Sequence, residues 1–204
     1  MTLQFTAPSD TPAEVGDNGW PAQGQWRYTD YLHLPDDGRR YEIIEGVLYV
    51  ANAPGFDHQF AVGETFAYLR QFIREHQLGV VLTAPFEVHL SETSKPVQPD
   101  VFFIRKERQP TAGDRIFVGA PDLIVEVISP SSIRLDRKAK FDAYERYGVA
   151  EYWLVEPKLR GVEVYILSNG EYALLGQYTG NELIESQMLA GLQIKANDLF
   201  PPAP

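Results

Sequence analysis

The sequence predicts a mixed α/β or α+β fold in which helices flank a mixed central sheet. Three observations indicate this: a helical period over residues 57–77, the order strand, helix, strand over residues 121–155, and a hairpin signal at Ser168-Asn169-Gly170. Because a helix joins the two strands within residues 121–155, at least one connection is predicted to be a parallel crossover.

Composition and charge exclude several classes of protein. The chain has 204 residues with 44% hydrophobic content, which is enough for a packed core. It has no apolar run long enough to cross a bilayer and no signal-peptide pattern at its start, so we expect a cytoplasmic protein without a membrane partner. It has no cysteine, so any metal must be held by oxygen atoms or by the four histidines. The net charge of -10 argues against a broad nucleic-acid-binding surface.

The N-terminal quarter is expected to contain an arm, a short helix and a hairpin. Residues 1–25 are rich in Pro, Gly, Asp and Ala and predict a mobile arm, followed by a single domain over residues 26–204. Thr29 is predicted to cap a short helix. Residues 40–50 predict two strands about a turn at Glu45-Gly46.

A long helix and a strand region are predicted next. Val62, Phe66, Leu69 and Ile73 recur at spacings of four, three and four, which is typical of one buried helical face. Gly79 is predicted to stop this helix. Residues 80–90 alternate apolar and polar side chains and predict strands.

Two further strands each carry an acid in an apolar run. Asp100 begins the strand over residues 97–104, and Glu126 lies within the strand over residues 121–129. Both faces of the second strand are mostly apolar, so it is predicted to be central in its sheet. A buried acid costs several kcal/mol unless it is paired. A structural ion pair for Glu126, and a turn or cap role for Asp100, are the alternatives to a site.

The helix predicted over residues 133–147 ends at Gly148. Asp136, Lys140 and Tyr144 are spaced four residues apart and share one face, whereas Lys138 lies about 200° around the helix from Lys140. A solvated stripe with an Asp–Lys pair is the alternative interpretation. A strand over residues 150–155 and a hairpin of strands over 162–167 and 172–175 complete the chain.

Together these segments resemble the PD-(D/E)xK nuclease superfamily and, more narrowly, the bacterial Uma-type restriction endonuclease family. The resemblance covers roughly residues 28–200. It rests on Pro99-Asp100, on Glu126 in Val125-Glu126-Val127, and on further matches at residues 41–46, His58, 98–101, 121–131, Asp136, Lys140, Tyr144, Gly148, 151–155 and 198–200. It implies a restriction-endonuclease-like fold, a mixed central sheet flanked by helices, with an added C-terminal β-hairpin.

The resemblance also implies a metal-dependent endonuclease that hydrolyses phosphodiester bonds, with DNA as the expected partner. Asp100 and Glu126 would hold Mg²⁺ or Mn²⁺, with the Val127 carbonyl as a further ligand. The superfamily lysine should stand two residues after the acid, where this chain has Ile128, and Lys140 on the following helix matches instead. Lys140 would orient the attacking water or stabilise negative charge in the transition state.

Other site residues are open to two interpretations each. Glu45 is either a further ligand or a turn residue before Gly46, and Glu87 is a weaker candidate ligand. His58 either contacts a substrate phosphate or has a structural role at the start of its helix. For Tyr144 we favour packing in the core over a hydrogen bond within the site.

Three functions remain open from the sequence. The chain is a DNA endonuclease, a nuclease-like binding or assembly module that no longer cuts, or a hydrolase of RNA or another phosphodiester. A homodimer is expected because cutting two strands calls for two sites, with the hairpin around Tyr165, Tyr172 and Leu175 as a candidate interface. Two clusters that flank the proposed site in sequence could form a substrate-facing basic patch: Arg105, Lys106 and Arg108, and Arg134, Arg137, Lys138 and Lys140.

Overall fold

The computed structural model describes residues 20–37, 39–51, 53–91, 96–129, 132–133 and 135–202. Within them the α-helices are α1 (Tyr28–Tyr31), α2 (Phe56–Glu75) and α3 (Phe141–Tyr147), and a π-helix (Leu135–Lys140) precedes α3. The strands are β1 (Arg40–Ile44), β2 (Val47–Ala51), β3 (Gly79–Thr83), β4 (Glu87–His89), β5 (Pro96–Val97), β6 (Val101–Arg105), β7 (Ile116–Val118), β8 (Leu123–Val127), β9 (Glu151–Glu156), β10 (Gly161–Ser168) and β11 (Glu171–Thr179).

A six-stranded mixed sheet forms the centre of the described part of the chain. Its strand order is β11-β10-β9-β8-β6-β3, and β8 pairs in parallel with β9 while the other neighbours are antiparallel. The predicted mixed sheet, the central position of β8 and the crossover through the helix before β9 are therefore confirmed. The predicted C-terminal hairpin is β10 and β11, which extend the sheet at one edge.

The two faces of the sheet bury different sets of side chains. Leu123, Val125 and Val127 face α2 and the C-terminal segment. Ile124 and Ile128 face the other side, where they pack with α3. This alternation along β8 follows from the period of two in a strand and explains why both faces of β8 are apolar.

Two helix ends differ from their predictions. Arg27, not Thr29, is the N-cap of α1, and its N–H donates to the Asp30 side chain at 2.8 Å, so Asp30 supplies the acceptor that Thr29 was expected to provide. The α2 helix ends at Glu75, and Gln77 takes the left-handed conformation (φ 55°) that we expected at Gly79. Gly79 instead begins β3, where a Cβ atom would clash with the Ile104 carbonyl.

The segment after β8 begins as a π-helix over Leu135–Lys140 before α3 starts, although the sequence predicts one continuous helix over residues 133–147. A π-helix has one more residue per hydrogen-bonded ring than an α-helix, and such turns are frequent at functional sites. The helix ends at Gly148 with φ 84°, as predicted. Ser131 and Arg134 lie outside the described residues.

The expected N-terminal arm lies outside the described residues over positions 1–19. Its described remainder contacts the β1–β2 hairpin, because the Gly24 N–H donates to the Gly46 carbonyl at 2.8 Å. The division into an arm and a single domain remains a proposal. In the described part of the chain, no helix has the length and apolar character needed to cross a membrane.

Candidate active site

The site forms where the start of β6 meets the end of β8. Asp100 immediately precedes β6, and the antiparallel pairing of β6 with β8, in which Val101 is opposite Val125, places it opposite Glu126 and next to Val127. The Val127 N–H donates to Asp100 Oδ2 at 2.9 Å. Because the N–H and the carbonyl of a strand residue point to the same neighbour, the Val127 carbonyl also lies on the Asp100 side of β8.

Asp100 is buried and bound by two cationic or titratable side chains. Arg40 Nη1 donates to Asp100 Oδ1 at 2.8 Å, and His58 Nε2 lies 3.2 Å from Oδ2. His58 reaches this point because it lies in the first turn of α2. Burial alone would raise the pKa of Asp100, but Arg40 and His58 together hold it well below its usual range. Asp100 is therefore ionised at neutral pH.

Glu126 receives its partners from the helical segment after β8. Lys140 Nζ lies 3.0 Å from Glu126 Oε1, and the Tyr144 hydroxyl donates to the same oxygen at 2.7 Å. Lys140 therefore points into the core, and the alternative of a solvated stripe does not hold. The Tyr144 ring also packs edge-on against Tyr152, so this side chain both packs in the core and bonds within the site.

Lys140 joins two further carboxylates to the cluster. Its Nζ lies 3.2 Å from Glu42 Oε2 and 3.6 Å from Asp136 Oδ1. Burial by itself would lower the pKa of Lys140, but Glu126, Glu42 and Asp136 raise it well above its usual value. Lys140 therefore keeps its charge in the core.

The carboxyl groups of the cluster differ in their pKa values. Burial raises the pKa of Glu126 to about 8, because Lys140 opposes this only in part and the neighbouring acids raise the pKa further. Burial also raises the pKa of Asp136 to about 6. Glu42 is the opposite case, because Lys140 and Arg40 outweigh its burial and lower its pKa. Such divergent values are typical of functional sites.

The charges of the cluster do not balance. Four carboxyl groups (Glu42, Asp100, Glu126 and Asp136) meet two fixed cations, Arg40 and Lys140. If all four acids ionise, two negative charges are left over, which a divalent cation would neutralise. His58 could offset one of these charges only when protonated.

Two candidate ligands are not brought to the cluster. Glu45 lies in the β1–β2 turn, half exposed, with Arg146 Nη1 3.0 Å from its Oε1. Glu87 accepts a hydrogen bond from the Tyr31 hydroxyl at 3.0 Å and lies near His89. The turn role that was the alternative for Glu45 fits its left-handed backbone, φ 49°.

Sequence reasoning missed Glu42 and Arg40. Glu42 lies three residues before Glu45 within Tyr41-Glu42-Ile43-Ile44, an acid in an apolar run like that around Glu126, and this signal could have found it. Its Oε1 accepts the Gln98 N–H at 2.7 Å. Arg40 donates to the Gln98 carbonyl as well as to Asp100, and no local pattern marks it for that role.

The two basic clusters do not form one patch. Asp100 precedes β6 and Arg105 ends it, so about 17 Å separates them along the strand. Arg105 and Arg108 pair with Asp122 at that far end. In the second cluster Arg137 binds Glu156 and Glu163, and Lys140 is buried. A shared substrate-facing patch made of these residues is therefore not observed among the described positions.

The donor set suits a hard divalent cation that keeps some of its water. Asp100, Glu126 and the Val127 carbonyl offer only oxygen atoms, which Mg²⁺ and Mn²⁺ prefer. Within the described ranges, no group of three or more His, Asp or Glu side chains is arranged to hold a metal ion.

Comparisons with known proteins point in one direction. A family model described as "Uma2: Putative restriction endonuclease" matches residues 28–197. A similar solved structure is that of "a putative nuclease belonging to DUF820" from Anabaena variabilis. The two structures have a TM-score of 0.72 and 19% sequence identity, over 85% of this chain and 97% of that chain. At this identity the likeness shows a common fold. No curated protein matches this chain.

Proposed function

Because this chain belongs to the Uma2 family, we propose that it is a metal-dependent endonuclease that hydrolyses phosphodiester bonds in DNA. The observation that carries the proposal is the contact of Lys140 with Glu126 at 3.0 Å, beside Asp100 and Val127. In this proposal Lys140 takes, from the helical segment after β8, the role of the lysine that the superfamily pattern places two residues after the acid.

Asp100, Glu126 and the Val127 carbonyl would hold the metal ion. A bound Mg²⁺ or Mn²⁺ would lower the pKa of its water and neutralise charge on the phosphate. Asp100 is already ionised, whereas Glu126, with a pKa of about 8, must lose its proton to act as a ligand. We therefore expect metal affinity to increase between pH 6 and pH 8.

Tyr144 and Lys140 have different roles in this proposal: Tyr144 orients Glu126, and Lys140 acts on the reacting phosphate or the attacking water. Tyr144 donates a hydrogen bond to Glu126 Oε1 and fixes the orientation of that carboxylate. Lys140 carries a positive charge at neutral pH, because its pKa is raised. In a buried setting this ammonium is suited to stabilise the negative charge that develops on the phosphate, or to orient the attacking water.

Arg40 and His58 mark the side from which substrate would approach. Their side chains are 25% and 12% exposed, whereas that of Asp100 is 6% exposed. Arg40 Nε and His58 Nδ1 are buried without a hydrogen-bond partner among the described residues. The exposed part of each side chain, and not these two buried atoms, would face a substrate phosphate.

A binding or assembly module that no longer cuts is the second candidate. The observation that favours it is the Arg40–Asp100 contact of 2.8 Å, since Arg40 and Lys140 already satisfy much of the acidic cluster without a metal. RNA or another phosphodiester remains an alternative substrate for the first candidate.

Plasmid cleavage with Mg²⁺ or Mn²⁺ tests the proposal. We expect wild-type protein to nick or linearise the plasmid, and Asp100→Ala and Lys140→Ala to lose this activity while Lys138→Ala, an exposed neighbour, keeps it. Thermal unfolding gives a second readout: metal that binds only the folded protein at 100 times its Kd adds about 2.7 kcal/mol to wild-type stability. Folded wild-type protein that shows neither cleavage nor a thermal shift would favour the module.

A homodimer is also proposed, because two sites are needed to cut two strands together. Tyr165 and Tyr172 of the candidate hairpin interface pack against the core, so they support this less than expected. Sedimentation of the full chain tests it, together with the ratio of linear to nicked plasmid at increasing protein concentration.

A further inference from the structure

A basic groove lies at the far end of α2 from the candidate site. It has a volume of about 400 Å³ and runs between the last turns of α2, the start of β3 and the segment after β6. Its charged lining consists of Arg70, Arg74 and Lys106, with Gln77 and Gln109 beside them, and no acid is among its lining residues.

The three cations of this groove are exposed and unpaired. Arg70, Arg74 and Lys106 have no ion-pair partner within the described part of the chain, whereas Arg105, Arg108 and other arginines bind acids. In a chain with a net charge of -10, three unpaired cations that line one groove without an acid form a local positive patch.

Local helix stability does not explain the arrangement. Arg74 lies in the last turn of α2 and complements the negative end of the helix dipole. Arg70, however, lies four residues earlier on the same face, where two like charges repel each other. Lys106 comes from a different element, and its N–H is fixed by a 2.9 Å hydrogen bond to the Leu78 carbonyl. Three cations from two elements therefore converge on one groove.

The groove stands at a defined distance from the site. His58, in the first turn of α2, contacts Asp100, and Arg70 and Arg74 follow it by 12 and 16 residues on the same helix. At 1.5 Å and 100° per residue these positions are roughly 18 and 24 Å from His58 along the axis and about 120° and 160° around the helix from it. The groove and the candidate site therefore lie on different sides of α2 as well as at opposite ends of it.

We propose that the groove formed by Arg70, Arg74 and Lys106 binds backbone phosphates of a nucleic acid, away from the candidate site. That this nucleic acid is also the substrate of the candidate site rests on the proposed function; the binding itself does not. Unpaired arginines and lysines are the groups that contact phosphates and release counterions. Such contacts position the nucleic acid and carry no sequence information.

The test is fluorescence anisotropy of a labelled 20-base-pair DNA duplex with the full chain in EDTA, over a range of salt concentrations. The groove variant is Arg70→Gln, Arg74→Gln and Lys106→Gln together. The matched control removes three exposed, unpaired cations outside the groove: Arg115→Gln, Lys158→Gln and Lys195→Gln. Glutamine keeps the helix propensity close to that of arginine, and circular dichroism verifies folding.

We expect the groove variant to weaken binding on the order of tenfold and to reduce the salt slope by about 2 to 3, since each lost phosphate contact removes about 0.9. The control variant should bind like the wild type. Equal losses of duplex affinity in both variants, or no duplex binding by the wild type, would overturn the proposal that the groove binds nucleic acid. Displacement of the duplex by inorganic phosphate at matched ionic strength would also overturn it, in favour of a small phosphate ligand.

Metal-dependent cleavage, assayed separately, distinguishes this inference from the proposed function. If the duplex binds through the groove but is not cleaved, the groove proposal is kept and the nuclease proposal is rejected. If the wild type cleaves the plasmid and the groove variant binds the duplex like the wild type, the nuclease proposal is kept and the groove proposal is rejected.

Discussion

Lys140 is a single buried charge that contacts segments far apart in the sequence. Its ammonium lies within 3.6 Å of Glu42 on β1, Glu126 on β8 and Asp136 in the π-helix. Removing one partner of a buried ionic group leaves uncompensated charge in the core, which is strongly destabilising. The three acids would repel each other as well.

We predict that Lys140→Met lowers the free energy of unfolding by about 3–5 kcal/mol. Urea denaturation at pH 7 measures this. Lys138→Met is the control in the same segment, because Lys138 is 82% exposed and its change should stay within about 0.5 kcal/mol. If Lys140→Met were as stable as the control, the carboxyl groups around Lys140 would have to be protonated in the folded protein at pH 7.

Glu126 gives a pH-dependent prediction. Its pKa is about 8 in the folded protein and 4.5 in the unfolded chain, so folding favours the protonated form. Its contribution to stability is fully present below pH 4.5 and is lost as the pH rises through 8. Asp136, with a pKa of about 6, acts in the same direction at lower pH. The lowered pKa values of Asp100 and Glu42 act only below their usual range, in the acid region.

Glu126→Gln should therefore gain stability relative to the wild type between pH 6 and pH 9 in EDTA. Glutamine keeps an oxygen that accepts from Tyr144, and it cannot ionise. Melting temperatures of both proteins across this range measure the effect. A difference that does not change with pH would show that Glu126 is ionised throughout, and metal affinity would then not depend on its proton.

At the scale of the element, two glycines with open space around them carry opposite expectations. Gly148 ends α3 with φ 84°, and the next N–H, that of Val149, returns to the Tyr144 carbonyl at 3.0 Å. Gly63 lies in the middle of α2, exposed. A Cβ atom at either position meets nothing within 4 Å, so only backbone conformation separates them.

We predict that Gly148→Ala destabilises the protein by about 1–2 kcal/mol, because alanine disfavours the left-handed conformation. Gly63→Ala should stabilise it by roughly 0.5–1 kcal/mol, since alanine is the better helix former. Guanidinium denaturation of both variants gives the two signs. If both variants shift in the same direction, the end of α3 is not held by its left-handed glycine.

The elements themselves could largely be predicted from the sequence, and the contacts between them only in part. Periodicity placed α2, β8 and the C-terminal hairpin, because each has a continuous apolar pattern. The π-helix was not predictable, since its extra residue leaves no mark in composition. Glu42 shares the buried-acid pattern of Glu126 and could have been found from it. The pairing of Arg40 with Asp100 joins residues 60 positions apart, and only the tertiary arrangement brings them together.

At the scale of the whole molecule, charge is distributed unevenly within an acidic chain. The acids at the candidate site lie at one end of α2, and the unpaired cations of the groove lie at the other. A nucleic acid that contacted the groove would therefore approach an acidic site whose negative charge a divalent ion must first neutralise. This predicts that binding near the site, unlike binding in the groove, strengthens when Ca²⁺ or Mg²⁺ is added.

The C-terminal segment after β11 is part of the core of the molecule. Ile184, Leu189, Ile194 and Leu199 are each at most 1% exposed and pack in the cluster that covers one face of the central sheet. A buried acid holds this segment against the sheet, because Glu151 Oε2 accepts hydrogen bonds from the N–H groups of Gln187 and Met188 at 2.8 and 3.0 Å.

We therefore predict that a chain ending at Gly180 does not fold, because it would expose this apolar face and leave Glu151 buried without those donors. A chain that begins at Trp20 should keep the wild-type melting temperature within about 2 °C, if residues 1–19 belong to the proposed arm. Gly24 donates to the Gly46 carbonyl, so a cut after residue 25 should cost more stability than a cut before Trp20. Circular dichroism and thermal melts of the three truncations decide this. A folded protein ending at Gly180 would place the C-terminal segment outside the core.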